Sequence, residues 1–170
     1  ITGRVPLLLA LGVLPLVLRP GAATGWGWVG LVALAVLLDR LLTPAPEQVA
    51  VRREPTAPVR TGETTGTTLV VENTGGRRLV LAVRDAWQPT AGAVGNRHRL
   101  HLGAGESRRL ETPLTPVRRG DLRAVGVTVR VRGPLGLVRR QRTRQVPGVV
   151  RSLPPFESRK HLPSRLARLR

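Results

Sequence analysis

Two charge-free apolar stretches open the chain, Val5 to Leu18 between Arg4 and Arg19, and Pro20 to Leu38 between Arg19 and Asp39. The second, about 19 residues or about 28 Å as a helix, is long enough to cross a hydrocarbon core about 30 Å thick. The first, about 14 residues, has to recruit Ile1 to Gly3, let Arg4 snorkel, or thin the bilayer locally. Its ten Val and Leu residues still favour insertion despite Pro6 and Pro15. Residues 1–42 therefore read as a two-span transmembrane hairpin. A signal peptide ending at Gly21-Ala22-Ala23 is the rival for the first segment; the full span that follows at once, and Arg19 before the cleavage site, weigh against it.

After the stiff linker Thr43-Pro44-Ala45-Pro46 (43–46), the period of the apolar pattern changes to two. Strands are expected at Gln48 to Arg53, Thr67 to Glu72, Arg78 to Asp85, Arg97 to Leu102, Arg108 to Thr112, Ala124 to Arg132 and Leu137 to Val146. The clearest alternation is Val125, Val127, Val129 and Val131, predicting one core row. Asn73-Thr74-Gly75-Gly76 reads as a hairpin turn between the second and third strands, and Gly133-Pro134-Leu135-Gly136 as the turn from sixth to seventh. Pro113, Pro116 and Pro147 belong at edges or corners. Seven short strands over residues 47–153 predict an all-β, immunoglobulin-like sandwich. Residues 154–170 read as a connector into a further domain: Leu162, Leu166 and Leu169 recur at helical spacing, with Arg165, Arg168 and Arg170 on other faces.

Charge adds a location to this picture. The 170 residues hold 28 Lys plus Arg against 10 Asp plus Glu, a formal +18. Lys160 is the sole lysine, which fits either the codon usage of a GC-rich genome or recognition of phosphate and carboxylate. Arg4, Arg40, Arg52 and Arg53 flank the spans on one side and Arg19 on the other, predicting cytoplasmic termini and a cytoplasmic sandwich. Outside the hairpin remain 25 basic and 9 acidic residues, about +16, suited to anionic inner-leaflet lipid. Trp26 and Trp28 read as an interfacial belt beside Arg4, Arg19 and Arg40, with packing against the first helix as the alternative for the indoles. If Arg130 pairs with Arg140 across the last hairpin, then Arg130, Arg132, Arg140, Arg142 and Arg144 share one cationic surface; a slip of one residue would turn arginines onto the valine face.

Candidate chemistry is sparse. Cysteine is absent, which excludes disulfides and thiolate chemistry. Gly62 to Thr67 lacks the lysine of a phosphate loop, and Gly103-Ala104-Gly105-Glu106-Ser107 reads as a plain turn. His98 and His101, three apart on a strand, point to opposite faces and do not share a metal. No cofactor and no catalytic residues are expected. A pI near 12.0 suggests nucleic acid, but Trp87 and Phe156 are the only Trp, Tyr or Phe rings outside the hairpin, too few for a stacking platform.

The hairpin, the run Arg118-Arg119-Gly120-Asp121-Leu122 continuing through Gly133-Pro134-Leu135-Gly136-Leu137, and Leu153-Pro154-Pro155 together resemble the N-terminal half of the bacterial membrane proteins called domain of unknown function 58. Leu122 stands where that family often has an aromatic, and Gly133 where an acid commonly precedes the Pro-Leu-Gly-Leu turn. The resemblance implies a following von Willebrand factor A-like domain and a MoxR-type AAA ATPase partner. The expected function is a noncatalytic, multi-pass anchor and adaptor in the bacterial cell membrane. A membrane-tethered nucleic-acid binder and an envelope-facing adhesion sandwich are the alternatives.

Overall fold

The computed structural model describes residues 2–155; of the connector expected at 154–170, everything from Phe156 on lies outside the described residues. The N-terminal part is a helical hairpin of α1 (Arg4–Leu11), α2 (Val13–Leu18) and α3 (Ala22–Leu42). The first apolar stretch is thus two helices, not one. Pro15 has no N–H to give the carbonyl of Leu11, and the break falls at Gly12, where a Cβ would collide with the Trp28 ring. The Trp28 indole N–H instead donates to the Leu8 carbonyl at 2.9 Å, so this tryptophan locks the hairpin and is not a free interfacial ring. Trp26 remains 76% exposed. The chain reverses at Arg19 to Gly21, and α3 returns along both shorter helices. One helix, beginning at Ala22, is long and apolar enough to cross a membrane by length and composition; Arg4–Leu18 is a shorter apolar stretch. Leu7, Leu14, Leu31, Leu34 and Leu37 of the hairpin face outward, uncovered by protein.

Nine strands follow in the described residues: β1 (Val49–Arg53), β2 (Val59–Arg60), β3 (Thr65–Asn73), β4 (Leu79–Trp87), β5 (Arg97–Leu102), β6 (Ser107–Leu114), β7 (Gly120–Arg132), β8 (Arg139–Arg144) and β9 (Val149–Leu153). β1, β3 and β6 form an antiparallel sheet; β2, β9, β7, β4 and β5 form the second, with β8 also on β7. Leu69, Val71 and Leu110 of the first sheet share one core cluster with Leu81, Val83, Leu100, Val129 and Val131 of the second. The fold is a β-sandwich. The 13-residue β7 serves two partners in succession, β9 against Gly120 to Arg123 and β8 against Val127 to Arg132.

Several expectations change. β2 and β9 are additions to the seven expected strands. Asn73 to Gly76 is no hairpin, because β3 and β4 belong to different sheets. The loop is a crossing, held by the buried Asn73, whose amide donates to the carbonyls of Arg77 at 2.8 Å and Gly103 at 2.7 Å. Val125 leaves the expected core row: opposite the step from Ala86 to Trp87 the register shifts, and Val125 bulges out 54% exposed while Val127, Val129 and Val131 are buried. Pro113 lies in β6, an edge strand, as its missing N–H requires.

Candidate functional site

The β7–β8 turn, Gly133 to Val138, is where the helical hairpin meets the sandwich. Gly133 N–H donates to the Val138 carbonyl at 3.0 Å, and Gly136 N–H to the Gly133 carbonyl at 3.0 Å, with Gly136 at φ +73°. That curl turns three further main-chain donors toward α3. Asp39, in the last turn of α3, accepts all of them: Leu135 N–H on one carboxylate oxygen, Leu137 and Val138 N–H on the other, each at 2.7 Å. The short lengths are those of charge-assisted bonds. A carboxylate at a helix C-terminus is otherwise disfavoured by the macrodipole, and the turn supplies the compensating dipoles. Asp39 is wholly buried.

The same turn also receives the other end of the hairpin. Thr2 donates its N–H to the Leu137 carbonyl and its hydroxyl to the Gly136 carbonyl, both at 2.8 Å, and Arg4 reaches the Leu135 carbonyl at 3.4 Å. Thr43, buried, returns its hydroxyl to the Asp39 carbonyl. A side chain at position 133 would collide with the Asp39 carboxylate and the Thr43 hydroxyl. The Asp39 carboxylate from the helix fills the space that a side chain there would take.

The cationic surface expected from the last hairpin is divided in two. The register pairs Val127 with Arg144, Thr128 with Thr143, Val129 with Arg142, Arg130 with Gln141, Val131 with Arg140 and Arg132 with Arg139, one residue from the expected pairing. Arg140, Arg142 and Arg144 therefore share the valine face, not the outer face of Arg130 and Arg132. Beyond the core edge they cover the segment leaving α3. Arg140 donates to the Thr43 carbonyl at 3.4 Å. Arg142 pairs with Glu47. Arg144 donates to the carbonyls of Val49 at 2.6 Å and Pro46 at 3.0 Å. The linker of residues 43–46 is strapped down by these arginines, with Pro46 buried.

A different set of arginines occupies the outer face. Across β5, β4, β7 and β8, one row is His101, Val80, Arg132 and Arg139; the next is Arg99, Ala82, Arg130 and Gln141; the third is Arg97, Arg84, Thr128 and Thr143. No acid stands in these rows. Arg132 lies directly opposite Arg139, and Arg84 opposite Arg97, pairings that cost stability through like-charge contact. His98 faces inward, 3.3 Å from the Thr112 hydroxyl, and His101 faces out, so the two histidines are separated as alternation requires.

Sequence reasoning missed one more buried polar group. Asp85 occupies an inward position after Leu79, Leu81 and Val83, and Arg53 of β1 meets it across the sandwich in two bonds of 2.7 and 2.9 Å. Trp87 donates its indole N–H to Asp85 at 3.0 Å, and its ring lies 4.7 Å from the Arg53 guanidinium carbon. Arg53 is therefore no free juxtamembrane charge. Trp87 is 7% exposed, which removes it as a surface for stacking bases. Both groups carried a signal: Asp85 breaks a core row, and Asp39 is an acid at the wrong end of a helix.

No family model matches this chain, and a comparison with curated proteins finds no match. Solved structures of similar fold include the PapD-like domain 7 of human CEP192, at 14% identity and a TM-score of 0.46 over 64% of this chain and 87% of that one. The CARDB domain of a Pyrococcus furiosus protein, in complex with di-metal ions, aligns at 18% identity and a TM-score of 0.42 over 62% of this chain and 87% of that one. A protein of unknown function from Porphyromonas gingivalis aligns at 20% identity and a TM-score of 0.46, over 64% and 49% of the respective chains.

Proposed function

We propose that the chain is a noncatalytic anchor and adaptor of the bacterial cell membrane. The helical hairpin crosses the bilayer twice and holds the basic, immunoglobulin-like sandwich at the cytoplasmic surface. Its task is to orient a C-terminal von Willebrand factor A-like domain that works with a MoxR-type AAA ATPase in assembling or maturing other proteins.

The observation that carries this reading is the Asp39 junction. A flexible tether would leave the turn's N–H groups to water, whereas three bonds to one carboxylate, two of them buried, fix the sandwich in direction as well as in distance. The outward-facing leucines of α3 and the basic residues Arg4 and Arg40 at the sandwich end of the hairpin, with Arg19 at the other, support a crossing with cytoplasmic termini.

Membrane fractionation and labelling test it. The chain has no native cysteine, so Val94→Cys, at a position 67% exposed, gives a unique thiol. The protein should resist carbonate extraction and react with an impermeant maleimide only after cells are opened. Extraction by carbonate overturns the anchor, and labelling of intact cells overturns the cytoplasmic orientation. In the native host, the full-length gene product should co-purify a MoxR-type ATPase; its absence from the eluate contradicts the adaptor role.

A further inference from the structure

Between the end of α3 and the outer face of the second sheet lies an open cleft of about 630 Å³, lined by Leu42, Pro44, Val80 and Pro134 on its apolar side. Arg77, Arg78, His101 and Arg132 line its other side. We propose that this cleft binds the phosphate headgroup of an anionic membrane phospholipid. The inference rests on the membrane reading above and adds a ligand to it.

Three observations converge. First, the cleft joins an apolar wall to a cationic one at the point where an apolar helix ends, the arrangement a lipid needs at the boundary of acyl chain and headgroup. Second, Arg77, Arg78 and Arg132 enter no ion pair among the described residues, and Arg132 lies opposite Arg139 in the ladder. An arginine pair facing each other without an acid is costly, and a phosphate diester offset against it relieves that cost with charge-assisted bonds. Third, the Asp39 junction fixes the turn that carries Pro134 against the end of α3, so the apolar wall is in place before any lipid arrives and ordering is confined to the arginine side chains.

Geometry also says which arginines matter. The headgroup layer is about 5–7 Å deep on each side of the hydrocarbon core. The row holding His101 and Arg132 adjoins the β7–β8 turn and falls within that layer when Asp39 marks its floor. Successive rows lie about 7 Å further along the strands, so Arg97 and Arg84 stand about 14 Å away, beyond a Debye length of about 8 Å at physiological ionic strength. The site is therefore the near row and the Arg77-Arg78 step, while the distal arginines add little.

The test uses the whole chain in nanodiscs of phosphatidylcholine containing a minor share of phosphatidylglycerol. Lipids retained on gentle detergent release are counted by native mass spectrometry. The unsubstituted chain should retain phosphatidylglycerol well above its share of the bilayer. Combined Arg77→Gln, Arg78→Gln and Arg132→Gln should reduce that enrichment on the order of tenfold or more. The charge-matched Arg84→Gln, Arg97→Gln and Arg123→Gln, the last at the far end of β7, should leave it within about twofold. Equal losses in the two variants would mean diffuse attraction and overturn the site, as would no loss in either. Duplex DNA captured by the solubilised chain and released only by the first variant, with lipid retention unchanged, would assign the cleft to nucleic acid and also overturn it. A chain that carbonate extracts removes the membrane reading and this site together; a chain that stays inserted without lipid enrichment removes the site alone.

Discussion

Asp39 and Asp85 are both fully buried, yet their charges are met by different means, and the difference separates what stabilises the sandwich from what orients it. Asp85 faces a cation, Arg53, with Trp87 completing the cage, and all three side chains belong to the two sheets. Asp39 enters no ion pair among the described residues. Its partners are three main-chain N–H groups of one turn, and it belongs to a helix that shares no core cluster with the sandwich. A side-chain pair tolerates small shifts, because both partners can follow. Three amides in a curled turn accept a carboxylate in a single pose. The first arrangement therefore acts mainly on stability, the second on the direction in which helix and sandwich are joined.

The largest expected effect tests the Asp85 half of that contrast. Asp85→Ala leaves the Arg53 guanidinium, only 3% exposed, without its counter-charge; a buried pair broken on one side costs about 3–5 kcal/mol. Denaturant unfolding should show that loss, with Asp85→Asn retaining part of it. For Asp39→Ala, the loss should be about 2–3 kcal/mol, since each orphaned amide costs about 1–3 kcal/mol and the turn can relax toward water at its rim. Unlike the Asp85 variants, it should leave exchange protection in β3 and β4 almost unchanged while raising amide exchange at Leu135, Leu137 and Val138. Global loss of protection in both variants would erase the distinction.

Smaller effects grade the strap. Arg144→Gln removes donors to two carbonyls in the segment that leaves α3 and should cost about 1 kcal/mol. Arg142→Gln breaks a pair whose members are 53% and 49% exposed and should change stability by no more than a few tenths of a kcal/mol. Smallest is the pH response of the β5–β6 turn. The Gly103 N–H, and then Arg108, hold the exposed Glu106 carboxyl below its usual range. A lowered folded value means that its contribution is complete above the ordinary carboxylate range and is lost as pH falls through the folded value. Glu106→Gln should flatten the acid limb of the thermal midpoint slightly, and an unchanged limb would contradict that assignment.

Much of the fold is legible in the pattern of apolar residues, because alternation in Val127 to Val131 reports a buried face directly, and the unbroken apolar run Leu79 to Val83 marks a strand without naming its buried face. Register is less legible. Arg139 to Arg144 contains no apolar residue, so nothing in β8 itself distinguishes inward from outward positions. The Gly133 to Val138 bond in the turn decides, and it decides against the single cationic surface. The Asn73 crossing misleads for a related reason: asparagine followed by two glycines suits any tight reversal, and only the pairing of β3 with β6 rather than β4 reveals a change of sheet. β2, two residues long, is too short to carry a period, and β9 hides its own because Val149 and Leu153 face out while Ser152 is buried. Asp39, by contrast, is visible in principle, as an acid placed where a helix dipole opposes it.

In this account of the junction, Asp39 fixes the sandwich relative to the hairpin. Spin labels on Leu31→Cys of α3 and Val117→Cys of the β6–β7 loop, positions 56% and 64% exposed, report that relation by pulsed dipolar spectroscopy in a bilayer. A single narrow distance distribution, broadened by Asp39→Ala without loss of sandwich secondary structure, is the predicted result. A broad distribution before substitution, or a narrow one that survives it, would contradict the account.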